Sequence, residues 1–142
     1  MGAYTYAGGV IAPVANGQFL PTDPAPCWVA FSGNHAYVAN ARGPSISGFN
    51  VDANGGLTSI GPIANAVVAS TGTVDESHTV FQGPTDEFLS ADGKYLYVLN
   101  SAVRSIGAFA VQANGTLARV GATDYGPALS ALPKGVAGIV AR

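Results

Sequence analysis

The chain has 142 residues, of which 48% are hydrophobic and 10% are charged, and its formal net charge is -2. This composition is enough for the core of one ordinary domain and excludes a disordered tail. Because only 6 residues are basic and the net charge is negative, there is no basic stripe for phosphates, and we expect no nucleic-acid partner.

Membranes and cofactors are not expected either. The apolar runs are short and are broken by Gly, Pro or Asn, so no membrane-spanning helix is predicted. The start, MGAYTYAGG, lacks a basic region followed by an apolar block, so we expect no secretion signal. Cys27 is the one cysteine, which excludes an internal disulfide and a multi-cysteine metal site and leaves the cellular compartment open. We predict a soluble protein without metal or cofactor.

Residues 1–25 are predicted to be the end of one structural unit, and residues 26–61 a complete unit. Short β-branched and aromatic runs between turn residues indicate strands. Pro26 suits the first position of a strand, and Asn54-Gly55 supplies the positive backbone angles of a hairpin turn. The four predicted antiparallel strands are Cys27–Ser32, Ala36–Asn40, Ser45–Val51 and Leu57–Gly61. In the first segment, Gly8-Gly9-Val10 matches Gly55-Gly56-Leu57 at the turn of a hairpin within Tyr4–Asn16.

Residues 62–83 are predicted to connect this unit to a second one, residues 84–121. The stretch YVANARGPSISGFNVDANGGLTSIG returns sixty positions later as YVLNSAVRSIGAFAVQANGTLARVG, with twelve identities in twenty-five positions and no gap. A self-similarity of this kind indicates a repeat architecture. The four strands predicted for the second unit are Thr85–Ser90, Tyr95–Asn100, Ser105–Val111 and Leu117–Gly121.

Apolar side chains occupy both faces of the predicted sheets. In YLYVLN, Tyr97 and Leu99 lie on one face, whereas Leu96 and Val98 lie on the other. A sheet that is apolar on both faces must lie between two others, as a propeller blade does. We therefore predict an all-β fold of β-propeller blades with four antiparallel strands each, about three blades per chain.

Residues 122–142 are predicted to supply the first strand of another blade, with Pro133 at the place of Pro26. Closed propellers typically have four to eight blades, so about three leave apolar faces and strand edges uncovered. Identical chains can close a ring by repeating one head-to-tail contact. We expect a homo-oligomer in which Val136–Val140 of one chain completes a blade with Tyr4–Val14 of its neighbour, a homodimer being favoured over a homotrimer.

The pattern of the unit resembles the lactonase-like seven-bladed β-propeller family, which includes bacterial 6-phosphogluconolactonases and fungal carboxymuconate-lactonising enzymes. The most specific pieces are Tyr37–Asn40, Tyr97–Asn100, the Ala-Asn-Gly turns at 53–55 and 113–115, and the two proline-led strands. The resemblance covers nearly the whole chain and corresponds to under half of a ring, most similar to its C-terminal part. It implies a propeller fold and the hydrolysis of a lactone.

Lactonases of the family that the chain resembles usually carry His, acidic or basic residues where the innermost strands begin at the channel. There a lactone carbonyl can be polarised and a water activated. At these places the present sequence has Cys27-Trp28-Val29, Thr85-Asp86-Glu87 and Lys134-Gly135-Val136. No His stands beside the prolines that begin the two predicted innermost strands, so the sequence departs from the family here.

Asp86 and Glu87 are the candidate catalytic residues. Neighbouring residues of a strand point to opposite faces, so only one of the two can face the channel. Burial in an apolar channel would raise the pKa of Glu87 towards the range of a general base. In the alternative interpretation, Asp86 makes local hydrogen bonds at the strand start, while Glu87 is solvated or is paired with Lys94 or Lys134.

Trp28, Arg42 and Arg104 are the candidate ligand-binding residues. Trp28 can stack on a sugar, lie in a subunit contact or pack in the core. Arg42 and Arg104 lie in the loops after Asn40 and Asn100, where propellers often build ligand surfaces. Either can bind a carboxylate in a bidentate manner, or it can be an ordinary solvated side chain.

Two further features have a simpler explanation. Cys27 needs a base to act as a nucleophile, and the sequence fixes neither His35 nor His78 near it, so a small apolar strand residue is favoured. The segment DESHT, Asp75–Thr79, has one His and two acids at a spacing that matches no metal site, which favours a solvated loop.

Three classes of function are compatible with the sequence. The first is a partial lactonase-like propeller that assembles with copies of itself into a closed ring. The second is a hydrolase of a lactone or cyclic ester, with Glu87 or Asp86 as base and an Arg on a substrate carboxylate or phosphate. The third is a propeller that binds a small ligand or glycan, with Trp28, Tyr37 and Tyr97 as its aromatic wall.

Overall fold

A computed structural model describes residues 1–14, 19–43, 45–60, 67–70, 84–100 and 105–120. These residues form β-strands and include no helix that is long and apolar enough to cross a membrane. The strands are β1 (Tyr4–Ala7), β2 (Val10–Pro13), β3 (Pro26–Ser32), β4 (His35–Asn40), β5 (Ser45–Val51), β6 (Leu57–Ser59), β7 (Val67–Ser70), β8 (Pro84–Leu89), β9 (Tyr95–Asn100), β10 (Ser105–Val111) and β11 (Leu117–Arg119).

The first sheet contains the four strands predicted for residues 26–61, in the order β3-β4-β5-β6, and all its pairs are antiparallel. It also contains β7, which lies in the segment predicted to be a connection. β6 pairs with Phe49–Val51, and β7 pairs with Ser45–Ser47. Because β6 is shorter than β5, β7 is needed to pair the remaining backbone groups of β5. The two strands together cover the outer edge of the sheet.

The second sheet has the same antiparallel order, β8-β9-β10-β11. Both proline-led strands have a register shift at the same place, between Pro26 and Trp28 in β3 and between Pro84 and Asp86 in β8. Such bulges are frequent at sheet rims and beside active sites, where they redirect side chains. The irregularity lies next to the predicted site residues in both sheets.

The central strands β4 and β5 of the first sheet are apolar and covered on both faces, as predicted for a blade, whereas the inner strand β3 is largely exposed. One face packs against the N-terminal segment through Ala36, Val38, Phe49 and Leu57, with Met1, Ala3, Leu20 and Val51 around them. The other face packs against the second sheet in a cluster of Tyr37, Ile46, Leu96, Val98 and Phe109. Adjacent sheets are therefore held together by a continuous apolar layer.

The Asn that ends the YVAN motif has a structural role. Asn40 is fully buried, and its side-chain amide lies 3.1 and 3.0 Å from the hydroxyls of Ser45 and Ser47. The Ser45 hydroxyl in turn donates to Asp23 Oδ2 at 2.6 Å. This network satisfies polar groups inside the sheet and ties the end of β4 to the start of β5.

Polar contacts from β3 and β4 join the first sheet to the turns of the second. The Tyr37 hydroxyl donates to the Gly115 carbonyl at 2.8 Å, and the Ser32 hydroxyl donates to the Gly93 carbonyl at 2.9 Å. Burial raises the pKa of Tyr37 to about 12, so its hydroxyl stays protonated as a donor. Gly115 has a φ of 80°, so the predicted positive angle is confirmed for the Gly of the Asn-Gly turn but not for Asn114.

The N-terminal hairpin consists of β1 and β2, with Tyr4 opposite Pro13 and Tyr6 opposite Ile11. Its turn consists of Gly8 and Gly9, both of which have positive φ. The hairpin predicted within Tyr4–Asn16 is thus confirmed, and it is exposed on both faces. The predicted strand within residues 122–142 and the composite blade that depends on it lie outside the described residues.

Candidate functional site

The two predicted catalytic acids lie on β8 at the inner edge of the second sheet. Glu87 is opposite Val98 and Asp86 is opposite Leu99, so their side chains lie on opposite faces of the sheet, as predicted. Val98 belongs to the apolar layer between the two sheets. Glu87 therefore points towards the first sheet, whereas Asp86 points away from it.

Asp86 is buried and makes a local hydrogen bond. Its Oδ1 accepts from the backbone N–H of Glu87 at 2.8 Å. The prediction of local hydrogen bonding by Asp86 at the strand start is confirmed. The bond stabilises the backbone next to the bulge and fixes the carboxylate of Asp86 beside the strand.

Glu87 is the unusual residue of this edge. It is 5% exposed, and among the residues that the structure describes neither of its carboxylate oxygens has a hydrogen-bond partner. Loss of hydration raises its pKa from 4.5 to about 8. Weaker interactions with the backbone of Ala39 and Ala30, which fall short of hydrogen-bond geometry, offset part of this effect, and the neighbouring charge of Asp86 adds to it.

For Glu87 the alternatives of a solvated carboxylate and of a pair with Lys94 are wrong, whereas a pair with Lys134 stays a prediction. Lys94 pairs with Asp92 at 3.5 Å in an exposed turn, and Lys134 lies outside the described residues. The β8 register places Glu87 on the inter-sheet face, so its carboxylate is desolvated instead of solvated. Among the described residues no cation acts on this carboxyl group, so burial favours its protonated form near neutral pH.

A groove of about 250 Å³ runs between the inner strands of the two sheets and reaches Glu87. Its lining includes polar backbone as well as apolar side chains, and the carboxylate oxygens of Glu87 lie buried behind this surface. The lining residues are Val29, Ala30, Phe31, Glu87, Phe88 and Leu89. Val29, Phe31 and Phe88 are exposed, so the groove is open to solvent, and a small apolar or cyclic ligand that enters it covers these side chains next to the buried Glu87.

Trp28 and Cys27 lie at the start of β3, beside a second groove of about 240 Å³. Trp28 is exposed, which suits a ligand contact or a subunit contact better than the core. Cys27 is exposed, and its thiol donates to the Ala25 carbonyl at 3.3 Å. His35 is buried and bonded to Asn50 at 2.9 Å, which occupies its Nδ1. The sugar-binding role of Trp28 stays a prediction.

Arg42 is exposed in the turn that follows β4. Its backbone N–H donates to the Pro24 carbonyl at 3.2 Å, which places it beside the segment that leads into β3. It thus lies at the edge of the sheet where the inner strands begin. Arg104 lies outside the described residues, as do His78 and the DESHT segment. No group of three or more His, Cys, Asp or Glu that could hold a metal occurs in the described ranges.

The chain matches the family model described as Lactonase, 7-bladed beta-propeller, over residues 15–129. A candidate 6-phosphogluconolactonase from Bacteroides uniformis is 28% identical, with a TM-score of 0.61 over 83% of this chain and 33% of that one. A protein from Lactobacillus plantarum is 24% identical, with a TM-score of 0.63 over 83% and 33%. A candidate 6-phosphogluconolactonase from Bacteroides fragilis is 23% identical, with a TM-score of 0.61 over 82% and 30%.

The chain therefore spans about a third of the length of these solved structures. A search of curated proteins found no match. In all three structural comparisons the shared feature is the blade architecture.

Proposed function

Because the chain belongs to the lactonase family of seven-bladed β-propellers, we propose that it contributes a proton-transferring carboxyl group, Glu87, to the hydrolysis of a lactone or related cyclic ester. The proposal rests on the burial of Glu87 and on its raised pKa. A buried carboxyl group that makes no hydrogen bond within the described residues lines an inner-strand groove, and burial raises its pKa to about 8. Perturbed titratable groups in clefts are typical of functional sites.

The reaction needs a group that accepts and returns one proton. A water oxygen attacks the carbonyl carbon, and the bond between that carbon and the ring oxygen then breaks to leave a hydroxy acid. The carboxylate of Glu87 takes the proton from the attacking water and returns it to the departing ring oxygen. Such a group works best when its pKa lies near the operating pH. A pKa of about 8 leaves about a tenth of Glu87 ionised at pH 7.

The groove suits a neutral ring better than a charged one. Its walls include Phe31 and Phe88, and both rings are partly exposed to a ligand that enters from solvent. A charged substituent must therefore lie outside the groove. We assign the bidentate donor that a carboxylate or phosphate substituent requires to the exposed Arg42, which lies beside the segment that leads into β3.

The names of two structural neighbours favour a phosphorylated sugar lactone as the substrate. Such a molecule combines the two parts that the groove and Arg42 would bind separately, a cyclic ester and a phosphate. For this chain the substrate class is a proposal, because the chain spans about a third of those proteins.

The test compares Glu87→Gln with the wild type in the hydrolysis of 6-phosphogluconolactone and of unphosphorylated gluconolactone. Gln keeps the shape of the side chain but cannot take a proton, so kcat is expected to fall by about a hundred-fold or more. Thermal unfolding is measured on the same samples at pH 5, where a protonated Glu87 and a Gln have the same charge. The unfolding midpoints are expected to be similar there.

Asp86→Asn and Arg42→Ala complete the experiment. Arg42→Ala is expected to raise KM for the phosphorylated lactone and to leave KM for the unphosphorylated one unchanged. If Asp86→Asn abolishes turnover and Glu87→Gln does not, the other acid carries the reaction and the proposal for Glu87 is wrong.

A further inference from the structure

The hairpin turn of the second sheet sits in a socket on the first sheet that consists of His35, Tyr37 and Ile60. These residues are 8%, 0% and 3% exposed. The Tyr37 hydroxyl donates to the Gly115 carbonyl at 2.8 Å. A Cβ placed on Gly115 would lie 2.6 Å from both His35 Nδ1 and Ile60 Cδ1, so the fit leaves no room for a side chain. The socket is a specific contact between adjacent blades.

The second sheet carries the same socket without an occupant among the residues that the structure describes. The sixty-residue offset of the repeat places three residues at its positions, and they are Tyr95, Tyr97 and Val120. Tyr95 is 39% exposed and Val120 is 41% exposed, whereas the matching residues of the first socket are buried. The only described tyrosine whose hydroxyl makes a hydrogen bond is Tyr37, so the hydroxyl of Tyr97 is available as a donor.

We propose that this second socket binds a second copy of the chain through the hairpin β1–β2 of that copy. The sequence aligns the turn of this hairpin, Gly8-Gly9, with Gly55-Gly56 of the first unit. Gly55 in turn corresponds to Gly115 of the second unit. Nothing lies within 4 Å of a Cβ placed on Gly8 or Gly9, so the turn is free to enter a socket.

The hairpin turn and the second socket differ from their counterparts in opposite directions. The turn of β1–β2 has two residues between Ala7 and Val10, whereas the turn of β10–β11 has the five residues between Val111 and Leu117. The second socket compensates for the shorter turn, because it has Tyr95 where the first has the smaller His35. The larger Tyr95 side chain thus faces the shorter turn.

The first sheet of a second copy is not available as the occupant. The hairpin turn of the first sheet is already in contact with its own chain, since a Cβ placed on Gly55 would lie 3.5 Å from Val14 Cγ2. The hairpin β1–β2, in contrast, is exposed, and within the described residues β1 pairs with β2 alone. An apolar hairpin whose outer strand edges are unpaired tends to associate with another chain. A head-to-tail contact between identical chains covers the hairpin of one copy and the second socket of the other at once.

The test is the dissociation constant of the oligomer by sedimentation velocity, on the full chain. The wild type is expected to sediment with the mass of two or three chains at micromolar concentration. Tyr97→Phe removes one hydroxyl and is expected to raise the dissociation constant about five-fold. Its matched control is Tyr37→Phe, which is expected to lower the unfolding temperature and to leave the dissociation constant unchanged.

A second pair of variants tests the hairpin. Val10→Asp is expected to weaken association at least ten-fold, because it puts a charge on an exposed apolar strand of the proposed contact. Thr58→Asp, on the exposed strand β6, is the control and is expected to have no effect on association. A folded monomer at micromolar concentration, or equal dissociation constants for Val10→Asp and the wild type, overturns the proposal. These readouts do not depend on turnover, so they are separate from the test of Glu87.

Discussion

The buried carboxyl of Glu87 makes the stability of the fold depend on pH. Its pKa is 4.5 in an exposed chain and about 8 in the folded one. Between these values the folded state keeps a proton that the unfolded state has lost. Because the unfolded state binds fewer protons in this range, stability falls as pH rises from about 4.5 to about 8 and is constant above it.

The size of the effect follows from the two pKa values. Each tenfold change in proton affinity is worth about 1.4 kcal/mol, so the full loss is on the order of 5 kcal/mol. The part that falls between pH 5 and pH 7 is about 2 to 3 kcal/mol. This is a large fraction of the stability of a typical domain.

The assay is urea unfolding at pH 5, 6, 7 and 8, followed by circular dichroism. The free energy of unfolding of the wild type is expected to fall with pH, relative to Glu87→Gln, which has no charge to lose. Glu87→Val is the control, because it copies Val29, the residue at the corresponding position of β3. A difference between wild type and Glu87→Gln that is the same at pH 5 and pH 8 would refute the burial of an ionisable Glu87.

Other substitutions test the contacts that hold the sheets. Gly115→Ala is expected to cost more than 3 kcal/mol, because the new Cβ meets His35 and the backbone has a positive φ. Gly33→Ala, which has a positive φ but open space, is the control and is expected to cost about 1 kcal/mol; equal costs would contradict the socket. Asn40→Ala is expected to cost about 1 to 3 kcal/mol in thermal unfolding, and no loss would contradict its role in the buried network.

Strands and turns could be predicted from the sequence because their signals are local. The β-branched and aromatic runs, the prolines at the starts of β3 and β8, and the Asn-Gly turn at Gly55 each act within a few residues. The strand β7 was missed because its partner, the N-terminal half of β5, is distant in sequence. Its pairing follows from the short length of β6, which no local pattern at Val67–Ser70 reveals.

The site was predicted in part. Asp86 and Glu87 were identified as acids at the start of an inner strand, and their opposite orientations follow from strand geometry. The burial of Glu87 depends on the packing of the first sheet against β8, which also brings the backbone of Ala30 and Ala39 next to the carboxyl group and which sequence alone does not reveal. The role of Tyr37 as a donor to the next blade was missed for the same reason, because its acceptor is 78 residues away.

The pH dependence of lactone hydrolysis tests the central claim about Glu87 most directly. After subtraction of the uncatalysed rate, kcat of the wild type is expected to rise with pH with an apparent pKa near 8, as Glu87 becomes a base. In Glu87→Gln this rise is expected to be absent. The same rise in both proteins, or a wild-type profile that is flat from pH 6 to pH 9, would contradict the assignment of Glu87 as the proton-transferring group.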